Sequence, residues 1–377
     1  MHDDVGRKRF VRTLTCPRTS FDPPRRATRA HGFNLIEVAV ASAMAGVISI
    51  AAISAFASLN RQLVSLQAQS TANDSAKSVI DLLTNEMQSV GGGAIRPWMA
   101  IWVENGASTK DSARDEAFKP PEGIGSDRVT FATLIEAAPA CTITSMKTSS
   151  LVAESLGKNC CLDAMFEKAS LEGSDDTLML AYLVANKQHR QVALRRAKGC
   201  AAEVSPGPLA ALDILPGASS KTPEVGFVGG RIVATEIRTI FLSEGDLLMF
   251  HQLQNFSSSA PKLGDGTVGL VATNVHDFQV QLGFDTNRDS RISDDNALDD
   301  EWLFNVDGEA PGVVGPTADF DARTLRMVGL GVIIGVGVGS GPPSTARIAG
   351  GGVITSDEAW LRGAMGRVSL RNLFIFH

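Results

Sequence analysis

A long apolar stretch with one acidic residue at its start constrains this chain more than any other feature. The stretch from Val38 to Ala57 carries no charged side chain, and Glu37 comes directly before it. As a helix, the apolar run from Leu35 to Phe56 is about 33 Å long, which is enough to cross a bilayer. A carboxylate is costly in such a segment, so we expect Glu37 to have a specific role.

Two ordinary kinds of membrane segment also begin with basic residues followed by an apolar run. Eight basic residues precede Gly32, and a basic flank of this kind keeps the N-terminus in the cytoplasm. The apolar run is too long for the core of a cleaved secretory signal. A plain signal anchor fits the length and the charge, but it does not explain Glu37.

The residues around Glu37 follow a rare order. Residues 32–37 read Gly-Phe-Asn-Leu-Ile-Glu, and this order resembles the class III signal of type IV prepilins. The resemblance implies that a prepilin peptidase cuts after Gly32 and that the new N-terminal residue, Phe33, is methylated. Residues 1–32 would then be a leader peptide, and Glu37 would be the fifth residue of the mature chain.

Charge argues against nucleic acid as a partner. The whole chain has a net charge of −6, but the leader holds 8 of the 35 basic residues and only 3 of the 41 acidic ones. The remaining 27 basic and 38 acidic residues leave the mature chain near −11. Sequence-independent nucleic-acid binding draws its affinity from neutralised phosphates, so we expect no such binding here.

Four of the five cysteines follow the apolar segment and would be exported: Cys141, Cys160, Cys161 and Cys200. An even number in an oxidising compartment favours two disulfides. Because adjacent cysteines rarely bond to each other, one of the pair at 160 and 161 would bond Cys141 and the other Cys200, in either combination. Zinc is the alternative, but no Cys-x-x-Cys spacing or nearby histidine supports it.

The pattern of apolar residues predicts one long helix from Phe33 to Val90, and the glycines at 91–93 end it. Residues 33–57 form its apolar part, and residues 58–93 form an amphipathic continuation with one apolar stripe. Residues 94–377 read as a globular, β-rich domain. The predicted strands are Arg128–Ile135, Thr177–Val184, Ile232–Phe241, Asp246–Gln252, Asp277–Phe284, Met327–Val338 and Arg367–Phe376. Strands that cluster after one long helix indicate an α+β fold with a mainly antiparallel sheet.

Three further segments resemble the PilW family of minor pilins. They are residues 75–90, the run from Val275 into the Asp-rich turn, and the segment that ends with Arg371 and Asn372. The resemblance implies a type IV pilin-like fold and a structural, assembly role in a pilus, at its initiation or tip complex. One alternative is a pseudopilin of a type II secretion system, similar to the J subunit, although J-type subunits are smaller. Another is a pilus-tip adhesin or ligand-binding module anchored by a pilin-type N-terminus.

The resemblance also implies partners and a location. We expect the chain to cross the inner membrane once, with its body in the periplasm, and then to enter the pilus at the cell surface. Its partners would be the prepilin peptidase, the inner-membrane assembly platform, other minor pilins and the major pilin.

The sequence contains no recognisable catalytic motif. The six histidines are scattered, and we find no His-Glu-x-x-His, no Gly-x-Ser-x-Gly and no P-loop. We therefore expect that the protein is not an enzyme and that it binds no organic cofactor.

One loop has the alternating oxygen donors of a calcium site. Side chains or backbone carbonyls at every second position could wrap a hard cation; the candidates are Asp285, Asn287, Asp289, Arg291, Ser293 and Asp295. Two positions depart from the usual loop, since Ser290 replaces glycine and Asn296 replaces a bidentate glutamate. A solvated acidic turn is the alternative, because Asp and Asn favour turns in any case.

Overall fold

In the computed structural model, the described residues are 34–93, 95, 100–105, 126–135, 137–156, 159–168, 178–185, 188–206, 226–252, 267–289, 291–292, 301–303, 312–313, 324–337, 344–347, 353–356 and 359–370. By their internal contacts, the residues fall into two compact units, Met1–Asn60 and Arg61–His377.

Two α-helices lie within the described residues. Helix α1 spans Leu35–Gln88, which confirms the predicted long helix to within a few residues at each end. It ends at a short 3₁₀ turn, Gly91–Gly93. Gly92 has a φ of +50°, and a Cβ there would lie 2.4 Å from Leu134 Cγ. The turn that ends the helix therefore requires glycine at this position. Helix α2, Cys161–Lys168, was not predicted.

The described strands number 19 in chain order. The first ten are β1 Ile101–Asn105, β2 Arg128–Leu134, β3 Cys141–Lys147, β4 Ser150–Ala153, β5 Ser155–Leu156, β6 Asn159–Cys160, β7 Leu178–Ala185, β8 Gln188–Ala197, β9 Ala201–Pro206 and β10 Arg231–Ser243. The others are β11 Asp246–Gln252, β12 Thr267–Ala272, β13 Val275–Phe284, β14 Trp302–Leu303, β15 Gly312–Val313, β16 Leu325–Gly337, β17 Ser344–Ala346, β18 Ile354–Ser356 and β19 Ala359–Ser369.

Two antiparallel sheets surround the main core of the second unit. The larger one runs in the order β15-β1-β2-β10-β11-β12. The other has the order β14-β13-β16-β19. The residues just before β2 join the two, because Asp127 N–H donates to the carbonyl of Phe278 on β13 at 2.8 Å. In return, Val280 N–H donates to Asp127 Oδ2 at 2.7 Å.

The second half of α1 packs into the core that these two sheets share. The side chains that it contributes to this core are Ala76, Val79, Ile80, Leu83 and Met87. Three contacts fix its position. A Cβ on Gly366 of β19 would lie 2.6 Å from Ile80 Cγ2, so the helix approaches this strand closely only because the residue is glycine. Glu86 forms an ion pair with Arg238 of β10, and Val90 forms a β-bridge with Thr133.

Six strands close into a small barrel, which was not predicted. Strand β3 pairs with β4, β4 with β9, β9 with β8, and β8 with β7. The N-terminal part of β10 then pairs with both β7 and β3, which closes the ring. This barrel has a hydrophobic core of its own. In its described residues, the region predicted as one globular domain therefore contains two large hydrophobic cores rather than one.

Strands β7 and β10 form the wall between the two cores. Successive side chains of a strand point to opposite faces. Ala181 and Leu183 accordingly belong to the barrel core, whereas Tyr182 between them belongs to the main core. Strand β10 alternates in the same way, with Ile232 in the barrel core and Val233, the partner of Tyr182, in the main core.

The only tyrosine of the chain, Tyr182, lies in this wall, so its titration at alkaline pH tests whether the wall is buried. Burial raises the pKa of Tyr182 above its ordinary value. Because the folded-state pKa is the higher one, the stabilisation is fully present below the unfolded-state pKa of about 10 and is lost as the pH rises above it. Phenolate absorbance should therefore appear together with the loss of circular dichroism. Tyr182→Phe should unfold at higher pH than the wild type, whereas phenolate absorbance near pH 10 in a fully folded protein would contradict this placement.

Candidate functional site

The start of α1 positions the only acidic residue of the apolar segment. Asn34 immediately precedes the helix, and its backbone N–H donates to Glu37 Oε2 at 3.3 Å. A glutamate three residues after the capping residue is the arrangement of a capping box, which satisfies one of the free N–H groups at a helix start. This local role was not predicted. Gly32 and Phe33, the predicted processing residues, lie outside the described residues.

The described part of the first unit, residues 34–60, is a helix whose large apolar side chains are all exposed. They are Leu35, Ile36, Val38, Val40, Met44, Val47, Ile48, Ile50, Ile53, Phe56 and Leu59. By length and composition, α1 could cross a membrane. The serine hydroxyls of this segment do not oppose that, since those at 42, 49 and 54 each donate to the carbonyl four residues earlier at 2.8 Å. Exposed apolar surface of this extent marks a segment that binds lipid or other protein.

The four cysteines that follow α1 pair as two disulfides around the small barrel. Cys141 at the start of β3 bonds Cys161, the first residue of α2. Cys160 bonds Cys200 in the turn between β8 and β9. This is one of the two combinations that the sequence left open. By loop-closure reasoning, each disulfide stabilises the fold by about 2–4 kcal/mol.

The disulfides hold α2 against the barrel core. Leu162, Met165 and Phe166 of this helix are buried in that core. On the other side of the helix, Asp163 Oδ1 accepts a hydrogen bond from Arg196 Nε at 2.7 Å. An eight-residue helix is unstable alone, so its burial and its two covalent attachments keep it in place.

The Asp-rich loop after β13 is organised by its own hydrogen bonds. Asn287 Oδ1 accepts from the N–H of Asp289, and Asp289 Oδ1 accepts from the N–H of Arg291, both at 2.8 Å. Asp285 is buried, and its carboxylate lies 3.9 Å from Arg326 Nε. Ser293 and Asp295, the other two predicted ligands, lie outside the described residues.

Glu301 was not predicted from the sequence, although its carboxylate accepts three hydrogen bonds from this loop. Its carboxylate is buried, and Oε1 accepts hydrogen bonds from Thr286 N and Thr286 Oγ1 at 2.8 Å and from Asn287 N at 3.3 Å. The next residue, Trp302, lies against the sheet where glycine leaves room for its ring. A Cβ on Gly283 would be 3.2 Å from the indole, and one on Gly329 would be 3.4 Å from it.

Within the described residues, no three His, Cys, Asp or Glu side chains converge to hold a metal ion. Two of the six predicted ligands are not described, so calcium binding stays a prediction.

We expect millimolar calcium to raise the melting temperature of the protein and a chelator to reverse the rise, as measured by circular dichroism. Asp289→Asn is the sharpest variant, because the amide oxygen keeps the hydrogen bond to Arg291 N while the charge that attracts calcium is lost. It should abolish the calcium response without lowering the melting temperature in chelator. A melting temperature that is the same with calcium and with chelator would leave the self-bonded turn as the answer.

Comparisons with known proteins place few limits on this chain. No protein-family model matches it, and no curated protein matches it. Among solved structures, a type IV-like pilin from Thermus thermophilus matches with 12% sequence identity and a TM-score of 0.24. The match covers 52% of this chain and 86% of that one. A TM-score this low does not establish a shared fold, so the fold description rests on the α+β architecture itself.

Proposed function

We propose that this chain is a minor pilin of a type IV pilus, similar to the PilW family, and acts as a structural subunit in pilus assembly rather than as an enzyme. The observation that carries the proposal is the first part of α1. It is an apolar helix with every large apolar side chain exposed and with one carboxylate, Glu37, in its first turn. Such a helix needs an apolar environment, first lipid and then the helices of neighbouring subunits.

Glu37 has a physical role in that assembly. Cleavage after Gly32 would leave a free amine at Phe33, close to the start of α1. A lone amine or a lone carboxylate is costly in an apolar filament core, but the two are tolerated when they pair between subunits. The capping hydrogen bond from Asn34 occupies only Oε2 of the carboxylate, so the other oxygen can accept from the amine of a neighbour.

The body of the protein would select partners. A filament subunit needs α1 and the core that holds it, which the two sheets supply. The small barrel is an addition with a separate core and two disulfides. We propose that this body decides which other minor pilins join the subunit in an initiation or tip complex. Inner-membrane insertion, the assembly platform, the major pilin and final exposure at the cell surface belong to the same proposal.

Two alternatives share the N-terminal helix. A type II secretion pseudopilin similar to the J subunit would assemble in the same way, and the genes beside this one would distinguish them: other prepilin genes favour the pilus, and secretin genes favour secretion. An adhesin or ligand-binding module is the second alternative. Under this alternative, the small barrel would carry the binding surface, because its core is separate from the core that holds α1.

Glu37 has two separable roles: its side chain caps the start of α1, and its charge is proposed to pair with the amine of a neighbouring subunit. Two variants separate these roles. Glu37→Ala removes both, whereas Glu37→Gln removes the charge and keeps a side chain that can cap the helix. We expect both variants to be inserted and cleaved normally, because the loss of a charge favours insertion by at most about 3 kcal/mol. We also expect both to be at least about tenfold depleted from purified pili, as measured by immunoblotting of pilus and membrane fractions.

Glu37→Asp is the matched control, since it keeps the charge on a shorter side chain and should enter pili better than Glu37→Gln. If Glu37→Gln enters pili as well as the wild type does, the carboxylate acts only as a helix cap and the proposed pairing is wrong.

A further inference from the structure

An open cleft of about 610 Å³ lies in the second unit, between α1 and the last β-strands. One wall is the helix face that carries Leu66, Gln69 and Asn73. The other is formed by Thr345 of β17 and by Trp360 and Arg362 of β19. Two buried residues, Ala72 and Ser344, also line the cleft.

Several polar groups of the lining already have partners. Ser344 Oγ donates to the carbonyl of Ala359 at 2.9 Å and accepts from Leu361 N at 2.7 Å. Thr345 Oγ1 lies 3.2 Å from Thr355 Oγ1, and Ser70 Oγ donates to Asp74 at 3.5 Å. These contacts build the walls and leave those hydroxyls less available to a ligand.

Three longer polar side chains have no such partner. Within the described residues, Gln69, Asn73 and Arg362 form no side-chain hydrogen bond and no ion pair. No carboxylate is among the described residues that line the cleft, and Arg362 forms no ion pair with any of them. Trp360 adds an aromatic surface between the strand and the helix. The cleft therefore offers two carboxamides, one guanidinium and one indole to an occupant.

The spacing of the two carboxamides matches an extended peptide. Gln69 and Asn73 are four residues apart on a helix, so they lie about 6 Å apart along its axis. Alternate residues of an extended chain repeat at about 6.6 Å, and each presents a backbone N–H and C=O. A carboxamide has both a donor and an acceptor, so it can satisfy both of these backbone groups.

We propose that this cleft binds an extended, acidic peptide segment of a neighbouring pilin-type subunit. Gln69 and Asn73 bond its backbone, Arg362 pairs with an aspartate or glutamate side chain, and Trp360 packs against the apolar side chain next to it. Because Arg362 is positively charged, the cleft should bind an acidic segment in preference to a neutral one. The partner is another subunit because the inference rests on the proposed assembly function, and exposed Leu63 and Leu66 continue the contact surface along α1.

A site-specific cross-link tests the cleft in the intact protein. Thr345 is exposed at its rim, so a photo-reactive benzoylphenylalanine at this position would contact any occupant. The full-length variant is expressed in the native host, irradiated during pilus assembly and analysed by mass spectrometry to identify the cross-linked peptide. We expect the cross-link to map to an extended segment with aspartate or glutamate in another pilin-type subunit. Arg362→Gln should reduce its yield at least about fivefold, because the ion pair is lost.

Two controls fix the interpretation. The same photo-reactive residue at Val152, which is exposed on the small barrel, should not cross-link to that segment. Lys198→Gln removes one exposed positive charge far along the chain and should leave the yield unchanged.

If the cross-link at Thr345 maps to lipid, to a saccharide or to a helix, the proposal for the cleft is wrong. If purified pili contain the variant but no cross-link forms, the cleft proposal also fails while the assembly function stands. Absence of the unmodified protein from pili would instead overturn the assembly function.

Discussion

The apolar stripe on the second half of α1 is the interaction on which the rest of the second unit depends. Ala76, Ile80, Leu83 and Met87 enter a core to which both sheets contribute. At about 25 cal/mol per Å² of buried apolar surface, such a stripe contributes several kcal/mol. Loss of the stripe would leave the two sheets facing each other across a void, which protein cores tolerate poorly. The close approach at Gly366 places the helix on β19, and the ion pair of Glu86 with Arg238 ties its last turn to β10.

Much of this arrangement could be predicted because it depends on local patterns. The helical period ended by the glycines at 91–93 predicts α1 to within a few residues. The strand Asp246–Gln252 was predicted with its observed bounds, and the predicted strand Arg367–Phe376 overlaps β19 only at its end. β19 begins at Ala359, within a run of mixed polarity that contains two glycines. Residues 371–376 lie outside the described part of the chain.

The closed barrel and the Glu301 contacts could not be predicted, because both depend on pairings between distant parts of the chain. Strand β10 reads as one continuous run, and nothing in its sequence shows that its first residues complete a barrel while the rest belong to another sheet. Glu301 reads as one more acid in an acidic segment, and only the fold brings it to Thr286. Helix α2 is too short for a periodic signal. The sequence left two combinations of disulfide bonds open, and the three-dimensional structure was needed to choose between them.

The central claim is that α1 begins at a processed N-terminus and that its first half is made for a filament core. The mass of the N-terminal peptide of the mature protein, purified from membranes and from pili, tests this most directly. The account predicts a chain that starts at Phe33 with one methyl group on its amine. A mature chain that starts beyond Ala57, or one that keeps residues 1–32, would contradict it.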